Sequence, residues 1–418
     1  MKVLALMDYV ARTGFGTVSK NIVAELKKHF GATLQLDIIA INYFGEPYYE
    51  DDNTFIVSGK RMDGEADDFG RFFFLKMLSE SNEYDGIFIC QDLGVVVPFI
   101  EHLEFIKKNK RETNSKSFKS IFYFPIDTHI IRDLTKNLEF FDLIVTYTNF
   151  GKQEILKFKP ELKTKIKIIP HGNNSKDFYP LSEEERLKFR KEYFGDNADK
   201  FIVTSVNRNQ PRKDIPSTIF GFIEAKNAFE SEDAKLPTPF LYLHMHPNDP
   251  MGWDLRGILL QTDLIEDVDY KLLPKEFEDT MCDIKTLNAI YNASDVCLTT
   301  TLGEGWGFIF SEAAACKLPI IAPYTTSFME MSNYGQNAYM LTTIYPCCSP
   351  TDNIIREQTD IYEVGERILE IARDKITPLN SAYAYTLQRK IDDSYAWVKT
   401  LEWSEVCKQW IKYFKETY

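Results

Sequence analysis

The chain has 418 residues, and at about 150 residues per domain it is too long for a single small module. Its 44% hydrophobic and 14% aromatic residues are typical of a folded globular protein and exclude a disordered chain. A net charge of −13 argues against a general binder of nucleic acid or of an anionic membrane, because either needs a positive surface. Seven scattered cysteines and an N-terminus without a signal-peptide pattern predict a cytoplasmic protein, and no apolar run is long enough to span a bilayer.

The first elements in chain order alternate between apolar strands and helices. Lys2–Met7 has the length and apolar character of a buried strand, Thr13–Gly16 forms a turn-prone glycine loop, and a helical pattern follows over 17–30. The alternation continues with strands at 34–42, 86–90, 120–125 and 143–147 and helices from about 95 and 152. This order predicts a parallel sheet covered on both faces, a Rossmann-like domain over residues 1–172.

A domain boundary is expected after the strand that ends in Pro170 and Gly172, because a polar segment and a second proline follow it. Ser182 and Glu185 have the spacing of a capping box and start a new helix. A second alternating series follows, with strands at 201–206, 240–244, 296–301 and 319–322 and helices at 215–228, 284–292 and 309–316. It predicts a second doubly wound domain over residues 173–396.

The charge is unevenly divided between these two parts. Residues 1–170 have 23 basic and 24 acidic residues, whereas the rest of the chain has 26 and 38. A basic run over 107–119 is typical of a membrane or nucleic-acid contact, but it precedes a strand and is interpreted as a solvated loop. Peripheral contact with a membrane or nucleic acid stays open and is not favoured. The acidic segment 49–53 is interpreted as a loop rather than a metal site.

The most informative segment follows the strand at 296–301. Glu304 lies in a loop in which Gly305 and Gly307 allow a ligand to approach the backbone, and a helix starts within a few residues. Glu312 is eight residues further on, about two helical turns, so both carboxylates are expected to face one cavity. A carboxylate suits the vicinal hydroxyls of a sugar. The alternative is an ordinary glycine-rich surface loop with nearby acids.

Arg208 and Lys213 follow the strand at 201–206, at the end where ligands bind in open α/β sheets. Two fixed cations suit a diphosphate whose charge grows in the transition state, and Arg212 is a plausible third. A solvated loop is the alternative interpretation.

Taken together, these motifs resemble those of the retaining nucleotide-sugar glycosyltransferases of family 4. The resemblance rests on Glu304 and Glu312, on Arg208 and Lys213, on the segment 170–180 and on the segment 291–296. It implies the GT-B fold, an α/β architecture of two Rossmann-like doubly wound domains that face a cleft. The aromatic C-terminal helix, at about 397–418, is then expected to pack back on the first domain.

The resemblance also implies a role for each residue of the site. Glu312 holds the donor ribose, Glu304 contacts the donor sugar, and Arg208 and Lys213 clamp the diphosphate. The backbone around Gly305, Trp306 and Gly307 reaches the sugar or phosphates, and Gly14 and Gly16 close over the diphosphate from the first domain, which binds the acceptor. The expected substrate-binding and catalytic set is Gly14, Gly16, Asp92, Asp127, His129, Arg208, Lys213, Glu304, Gly305, Trp306, Gly307 and Glu312.

On the acceptor side, three polar residues follow predicted strands of the first domain. Asp127 and His129 end one strand and Asp92 ends another, and a structural role is the alternative for each. His171 is interpreted as a hinge residue.

The predicted reaction is sugar transfer from a nucleoside-diphosphate sugar, with UDP-sugars favoured on family frequency, to an unidentified hydroxyl acceptor with retention at the anomeric carbon. A glycan, a lipid-linked sugar, a protein or a modified nucleic-acid base are open as acceptors. No metal or other cofactor is expected, because cationic side chains replace the metal. The alternatives are a nucleotide-sugar epimerase of related fold and a non-catalytic nucleotide-sugar binding subunit.

Overall fold

The computed structural model describes residues 1–59, 67–232, 236–278, 282–348, 353–376 and 382–418. Over these residues the chain divides into two compact units. The first consists of Met1–Gly172 and Leu401–Tyr418, and the second of Asn173–Thr400. In the described parts of the chain, no helix combines the length and the hydropathy that crossing a bilayer requires.

The first unit is built on one mainly parallel sheet. In chain order its strands are β1 (Lys2–Asp8), β2 (Gln35–Ile41), β3 (Tyr48–Asp51), β4 (Thr54–Ser58), β5 (Gly86–Cys90), β6 (Lys119–Phe124), β7 (Leu143–Thr146) and β8 (Ile166–Ile168). Its first helices are α1 (Gly14–Phe30), α2 (Arg71–Glu80), α3 (Leu93–Val96), α4 (Ile100–Glu112) and α5 (Asn149–Leu156). The strand order is β3-β4-β2-β1-β5-β6-β7-β8, so the direction of strand addition reverses between β1 and β5. The central strands are continuous apolar runs because helices cover both faces of the sheet.

The second unit repeats this architecture. Its strands are β9 (Phe201–Val206), β10 (Pro239–His244), β11 (Tyr270–Leu272), β12 (Val296–Leu298), β13 (Ile320–Pro323), β14 (Tyr339–Leu341), β15 (Thr343–Cys348) and β16 (Ile355–Thr359). Its helices are α6 (Glu183–Phe194), α7 (Ile215–Glu230), α8 (Leu255–Leu259), α9 (Lys275–Glu278), α10 (Ile284–Ala293), α11 (Phe308–Ala315), α12 (Thr326–Met331), α13 (Ile361–Ile376) and α14 (Ala382–Lys399). The parallel sheet has the order β11-β10-β9-β12-β13-β14, and β15 pairs with β16 in a separate antiparallel hairpin. The reversal of strand order lies between β9 and β12.

The C-terminal helix α15 (Trp403–Thr417) belongs to the first unit. Trp410 is fully buried, and its ring centroid lies 5.3 Å from that of Phe88 and 4.8 Å from that of Tyr123. The hydroxyl of Tyr418 donates to the Ile87 carbonyl oxygen at 2.6 Å. The chain end is therefore held on the sheet by aromatic packing and a hydrogen bond.

The acidic segment 49–53, expected as a loop, covers the last three residues of the edge strand β3 and the turn into β4. The carboxylates of Glu50 and Asp51 have partners within the same unit. Lys27 forms ion pairs with Glu50 and Asp51, and the hydroxyl of Tyr9 donates to Glu50 at 2.8 Å. The acidic residues thus have a structural explanation that the sequence pattern did not reveal.

The first part of the basic run lies on α4, so the interpretation as a solvated loop was wrong there. Lys107 forms an ion pair with Asp142 at 3.2 Å, and the buried Lys110 donates to the Ser81 carbonyl oxygen at 2.7 Å. A long lysine side chain can pack its aliphatic stem on a helix surface while its amino group reaches a partner. The sequence shows only the charge of such a residue, so the run was interpreted as solvated.

Gly172, the last residue of the first segment, lies directly against an indole ring. A Cβ placed on it would be 2.3 Å from a ring atom of Trp403, so Gly172→Ala is expected to destabilise the first unit by about 1–3 kcal/mol through overpacking. Thermal melts of the two alanine variants Gly172→Ala and Gly94→Ala test this, because a Cβ on Gly94 meets nothing within 4 Å. Equal melting temperatures for the two variants would contradict the packing argument.

Candidate active site

A group of charged side chains in the second unit lies at the reversal of strand order. Lys213 follows β9 and Glu304 follows the neighbouring strand β12. The Lys213 ammonium contacts Glu304 Oε1, and Arg212 Nη1 lies 3.1 Å from Glu304 Oε2. The Glu304 side chain is only 7% exposed. Open α/β sheets bind their ligands at this edge and at this reversal point.

The charge of Glu304 is set by these two cations. Burial alone would raise the pKa of this carboxyl, but the charges of Arg212 and Lys213 and their hydrogen bonds outweigh burial and lower the pKa to about 2. Glu304 is therefore a carboxylate throughout the physiological pH range, and it cannot serve as a general acid in this state.

The loop that carries Glu304 is fixed by two hydrogen bonds to the first turn of α12. The Glu304 amide donates to the hydroxyl of Thr326 at 2.9 Å, and the hydroxyl of Ser327 donates to the Trp306 carbonyl oxygen at 2.6 Å. Gly307 has a φ of 99°, and a Cβ there would lie 2.4 Å from the ring of Phe328. Only glycine fits this backbone without strain, so the turn into α11 depends on Gly307.

Glu312 lies on α11 and has a separate environment. The hydroxyl of Tyr291, on α10, donates to Glu312 Oε2 at 2.8 Å. Burial raises the pKa of Glu312 to about 7, and the hydrogen bond from Tyr291 opposes this shift only in part. The side chain is thus poised between its charged and neutral forms near neutral pH. Tyr291 was missed as a site residue because its hydroxyl reaches Glu312 from a different helix.

Arg208 pairs with a different carboxylate from the one that Arg212 and Lys213 contact. Its guanidinium Nε donates to Asp249 Oδ2 at 3.1 Å, and its side chain is 61% exposed. The sequence paired Arg208 with Lys213, whereas the structure brings Arg212 and Lys213 to Glu304 and leaves Arg208 on Asp249. Arg212, considered only as a third cation, is thus in direct contact with the central carboxylate.

The remaining residues expected in the second unit lie in the loop before α11. Gly305 and Trp306 are buried, and the Trp306 indole ring stacks on Trp397 of α14 with the ring centroids 6.2 Å apart. Trp306 therefore acts as a packing residue in addition to any contact made by its backbone.

In the first unit, the expected residues follow three adjacent strands. Gly14 and Gly16 follow β1, Asp92 follows β5, and Asp127 and His129 follow β6. Because these strands are parallel, their carboxyl ends lie along one edge of the sheet, and the structure brings the five residues to this edge.

Gly14 and Gly16 form the first turn of α1 rather than a free loop. The Thr13 hydroxyl accepts a hydrogen bond from the Gly16 amide at 2.9 Å and donates to Asp8 at 2.7 Å. A Cβ on Gly16 would lie 2.2 Å from the Ala11 carbonyl oxygen, which explains the glycine by close backbone approach. The Thr13 cap is a helix-start signal, so α1 begins earlier than the glycine-loop interpretation predicted.

His129 has a buried partner that the sequence did not suggest. Its imidazole Nδ1 lies 3.0 Å from Glu154 Oε1, while the His129 side chain is 75% exposed. Lys157 also contacts Glu154, and although burial would raise the pKa of Glu154, the hydrogen bonds from Lys157 and His129 lower it. A carboxylate on Nδ1 favours the tautomer in which Nε2 is the acceptor.

His171 is buried in the first unit and contacts the Tyr123 hydroxyl through Nδ1 at 2.8 Å. Burial lowers the pKa of His171 to about 3, so it is neutral at physiological pH. Within the described ranges, no group of three or more His, Cys, Asp and Glu side chains is placed to hold a metal ion.

Comparisons with curated proteins give distant relatives. The chain is 27% identical over 256 residues to a probable sucrose-phosphate synthase of Thermosipho melanesiensis, covering 59% of this chain and 53% of that protein. It is 25% identical over 210 residues to a trehalose synthase of Thermococcus litoralis, covering 49% and 48%. The chain thus spans about half the length of the curated relatives it matches, and no family model matches it.

Solved structures match over the whole chain. A sucrose-phosphate synthase from Thermosynechococcus elongatus superposes with a TM-score of 0.68 at 14% identity, covering 99% of this chain and 98% of that one. Anabaena HepE, in complex with UDP and glucose, superposes with a TM-score of 0.67 at 13% identity and full coverage of both chains. The chain has the GT-B fold. The fold class expected from the sequence is therefore confirmed, and the GT-B assignment covers both units.

Proposed function

We propose that this GT-B chain is a retaining glycosyltransferase of family 4 that transfers a sugar from a UDP-sugar to a hydroxyl acceptor. The observation that carries the proposal is the contact of Glu304 with Arg212 and Lys213 at the reversal of strand order. The distant structural neighbours support the choice of donor, because their complexes hold UDP, UDP-glucose or UDP-2-fluoro glucose.

The second unit binds the donor in this proposal. Lys213 and Arg208 contact the diphosphate, and the Glu312 carboxylate accepts hydrogen bonds from the ribose hydroxyls. Glu304, fixed by its two cations, contacts hydroxyls of the donor sugar. The amides around Gly305 and Gly307 donate further hydrogen bonds to the sugar and the phosphates, and an approach of Gly14 and Gly16 to the diphosphate stays a prediction from the sequence.

The chemistry requires stabilisation of the leaving group. As the bond between the anomeric carbon and the phosphate oxygen breaks, negative charge grows on the diphosphate, and positioned cations lower the energy of that state. The acceptor hydroxyl attacks from the same face and gives its proton to the leaving phosphate, so no strong base and no metal are required. His129, Asp127 and Asp92 position the acceptor or the donor sugar. A cytoplasmic location stays a prediction from the sequence.

A nucleotide screen followed by product analysis tests the proposal. UDP and UDP-glucose are expected to raise the melting temperature of the full chain, and ADP and GDP to raise it less. The chain is then incubated with UDP-glucose and panels of sugar, glycan and lipid-linked acceptors, and products are identified by mass spectrometry. A product heavier than its acceptor by one hexosyl group is expected.

The other outcomes distinguish the alternatives. An altered sugar epimer formed from UDP-glucose without acceptor would favour an epimerase. Stabilisation by UDP without turnover on any acceptor would favour a binding subunit. No stabilisation by any nucleoside diphosphate would contradict the proposed donor site itself.

A further inference from the structure

The long segment after β10 packs against the loop that carries Arg208, and a buried asparagine joins the two. Asn209 is fully buried; its Nδ2 donates to the Trp253 carbonyl oxygen at 2.7 Å, and its Oδ1 accepts from the Trp253 amide at 3.0 Å. A Cβ on Gly252 would lie 2.2 Å from the Asn209 carbonyl oxygen. The segment therefore has little freedom to move relative to this loop.

Asp249 is the residue of this segment that faces Arg208. Its Oδ1 accepts a hydrogen bond from the Met251 amide at 2.9 Å, and its carbonyl oxygen accepts from the Gly252 amide at 2.8 Å. The Asp249 side chain is only 11% exposed. Burial would raise the pKa of Asp249, but the hydrogen bonds from Met251 and Arg208 lower it, so the group is a fixed carboxylate at neutral pH.

The way in which Arg208 meets this carboxylate matters for its function. The contact uses Nε, the inner nitrogen of the guanidinium, and among the described residues it is the hydrogen bond that the Arg208 side chain makes. A guanidinium held through Nε keeps both terminal NH₂ groups available for a second, planar partner such as a phosphate.

We propose that Asp249 is a positioning residue that holds Arg208 by Nε and directs its two terminal NH₂ groups toward the diphosphate of the donor. The inference rests on the proposed function and adds to it a carboxylate that no motif of the sequence singled out. An arginine already fixed in one orientation loses less conformational freedom on binding than a mobile one. If Asp249 instead draws Arg208 away from the phosphate, removing its charge should tighten binding of the diphosphate. A single substitution of Asp249 therefore decides between the two roles.

The test measures UDP affinity by titration calorimetry on the full chain. Asp249→Asn keeps an oxygen for the Met251 amide and removes the charge, and roughly three- to tenfold weaker binding is expected. In an Arg208→Ala background, the same substitution is expected to have no further effect, because a positioning residue acts only through the group it positions. Glu266→Gln, which breaks the exposed Arg256–Glu266 pair on the same connection, is the matched control.

Melting temperatures verify that each variant folds. Unchanged or tighter UDP binding by a folded Asp249→Asn variant, or an equal loss in the presence and absence of Arg208, would overturn the inference. If the wild-type chain itself does not bind UDP, the proposed function fails first, so the two failures are distinguishable.

Discussion

Replacing Lys213 with alanine is expected to lower kcat for sugar transfer by about 100- to 1000-fold, the usual cost of removing one preorganised donor to a developing negative charge. Lys213 is mostly buried and contacts Glu304, so its ammonium is held in place before the donor arrives. After the substitution, Arg212 is the remaining cation of the two that contact Glu304. Initial rates with UDP-glucose and a confirmed acceptor are the measurement.

Lys390→Ala is the matched control for this prediction. Lys390 is a half-buried lysine of the same unit that donates to the carbonyl oxygens of Gly335 and Ala338, so its loss affects stability and not the charge at Glu304. A Lys213→Ala variant with the wild-type kcat would show that this lysine does not stabilise the leaving group.

Replacing Glu312 with glutamine is expected to weaken UDP-glucose binding by about 10- to 100-fold, because hydrogen bonds to a charged acceptor are worth more than those to a neutral amide. Wild-type affinity should also depend on pH. The Glu312 pKa is about 7 in the unliganded chain, so affinity should fall as the pH drops below 7 and level off above it. Glu312→Gln should remove this pH dependence.

The measurement is the dissociation constant of UDP-glucose over about 1.5 pH units on either side of neutrality. UDP-glucose is preferred to UDP because each of its phosphates carries one ester and one anhydride bond, so neither changes charge in this range. A pH profile with the same slope in wild type and Glu312→Gln would show that another group is responsible.

As the pH rises, the free energy of unfolding should fall while the affinity for UDP-glucose rises. Burial raises the pKa of Glu312 from its ordinary value of 4.5 to about 7, so the folded state binds this proton more tightly than the unfolded state. The stability contributed by Glu312 is therefore highest below pH 4.5 and falls as the pH rises through 7. Above pH 7, Glu312→Gln is expected to be more stable than wild type, on the order of 1–3 kcal/mol. A denaturant titration at pH 8 measures the free energy of unfolding of both proteins. A lower value for Glu312→Gln than for wild type would contradict this prediction.

The fold could be predicted from the sequence where strands are buried on both faces. Runs such as Lys2–Met7 and Phe201–Val206 are continuous and apolar, and glycine or proline marks their ends. The hairpins were missed because their strands carry no such pattern. All four residues of β3, Tyr48–Asp51, are exposed, so nothing in their order distinguishes an edge strand from a loop.

The residues of the site that could be predicted are those that directly follow a strand in the sequence. Lys213 and Glu304 each follow a strand, and the two strands are neighbours at the reversal point, which makes their contact an expected result. The partners that set the chemistry were not predictable. Tyr291, Glu154 and Asp249 reach Glu312, His129 and Arg208 from other elements, and contacts of this kind depend on the packed structure rather than on spacing.

A crystal structure of the full chain with UDP bound tests the central claim most directly. We expect the diphosphate within hydrogen-bond distance of Lys213 and Arg208, with the ribose hydroxyls donating to Glu312. UDP bound elsewhere, or bound with neither its diphosphate on Lys213 nor its ribose on Glu312, would contradict the assignment of the donor site to the second unit.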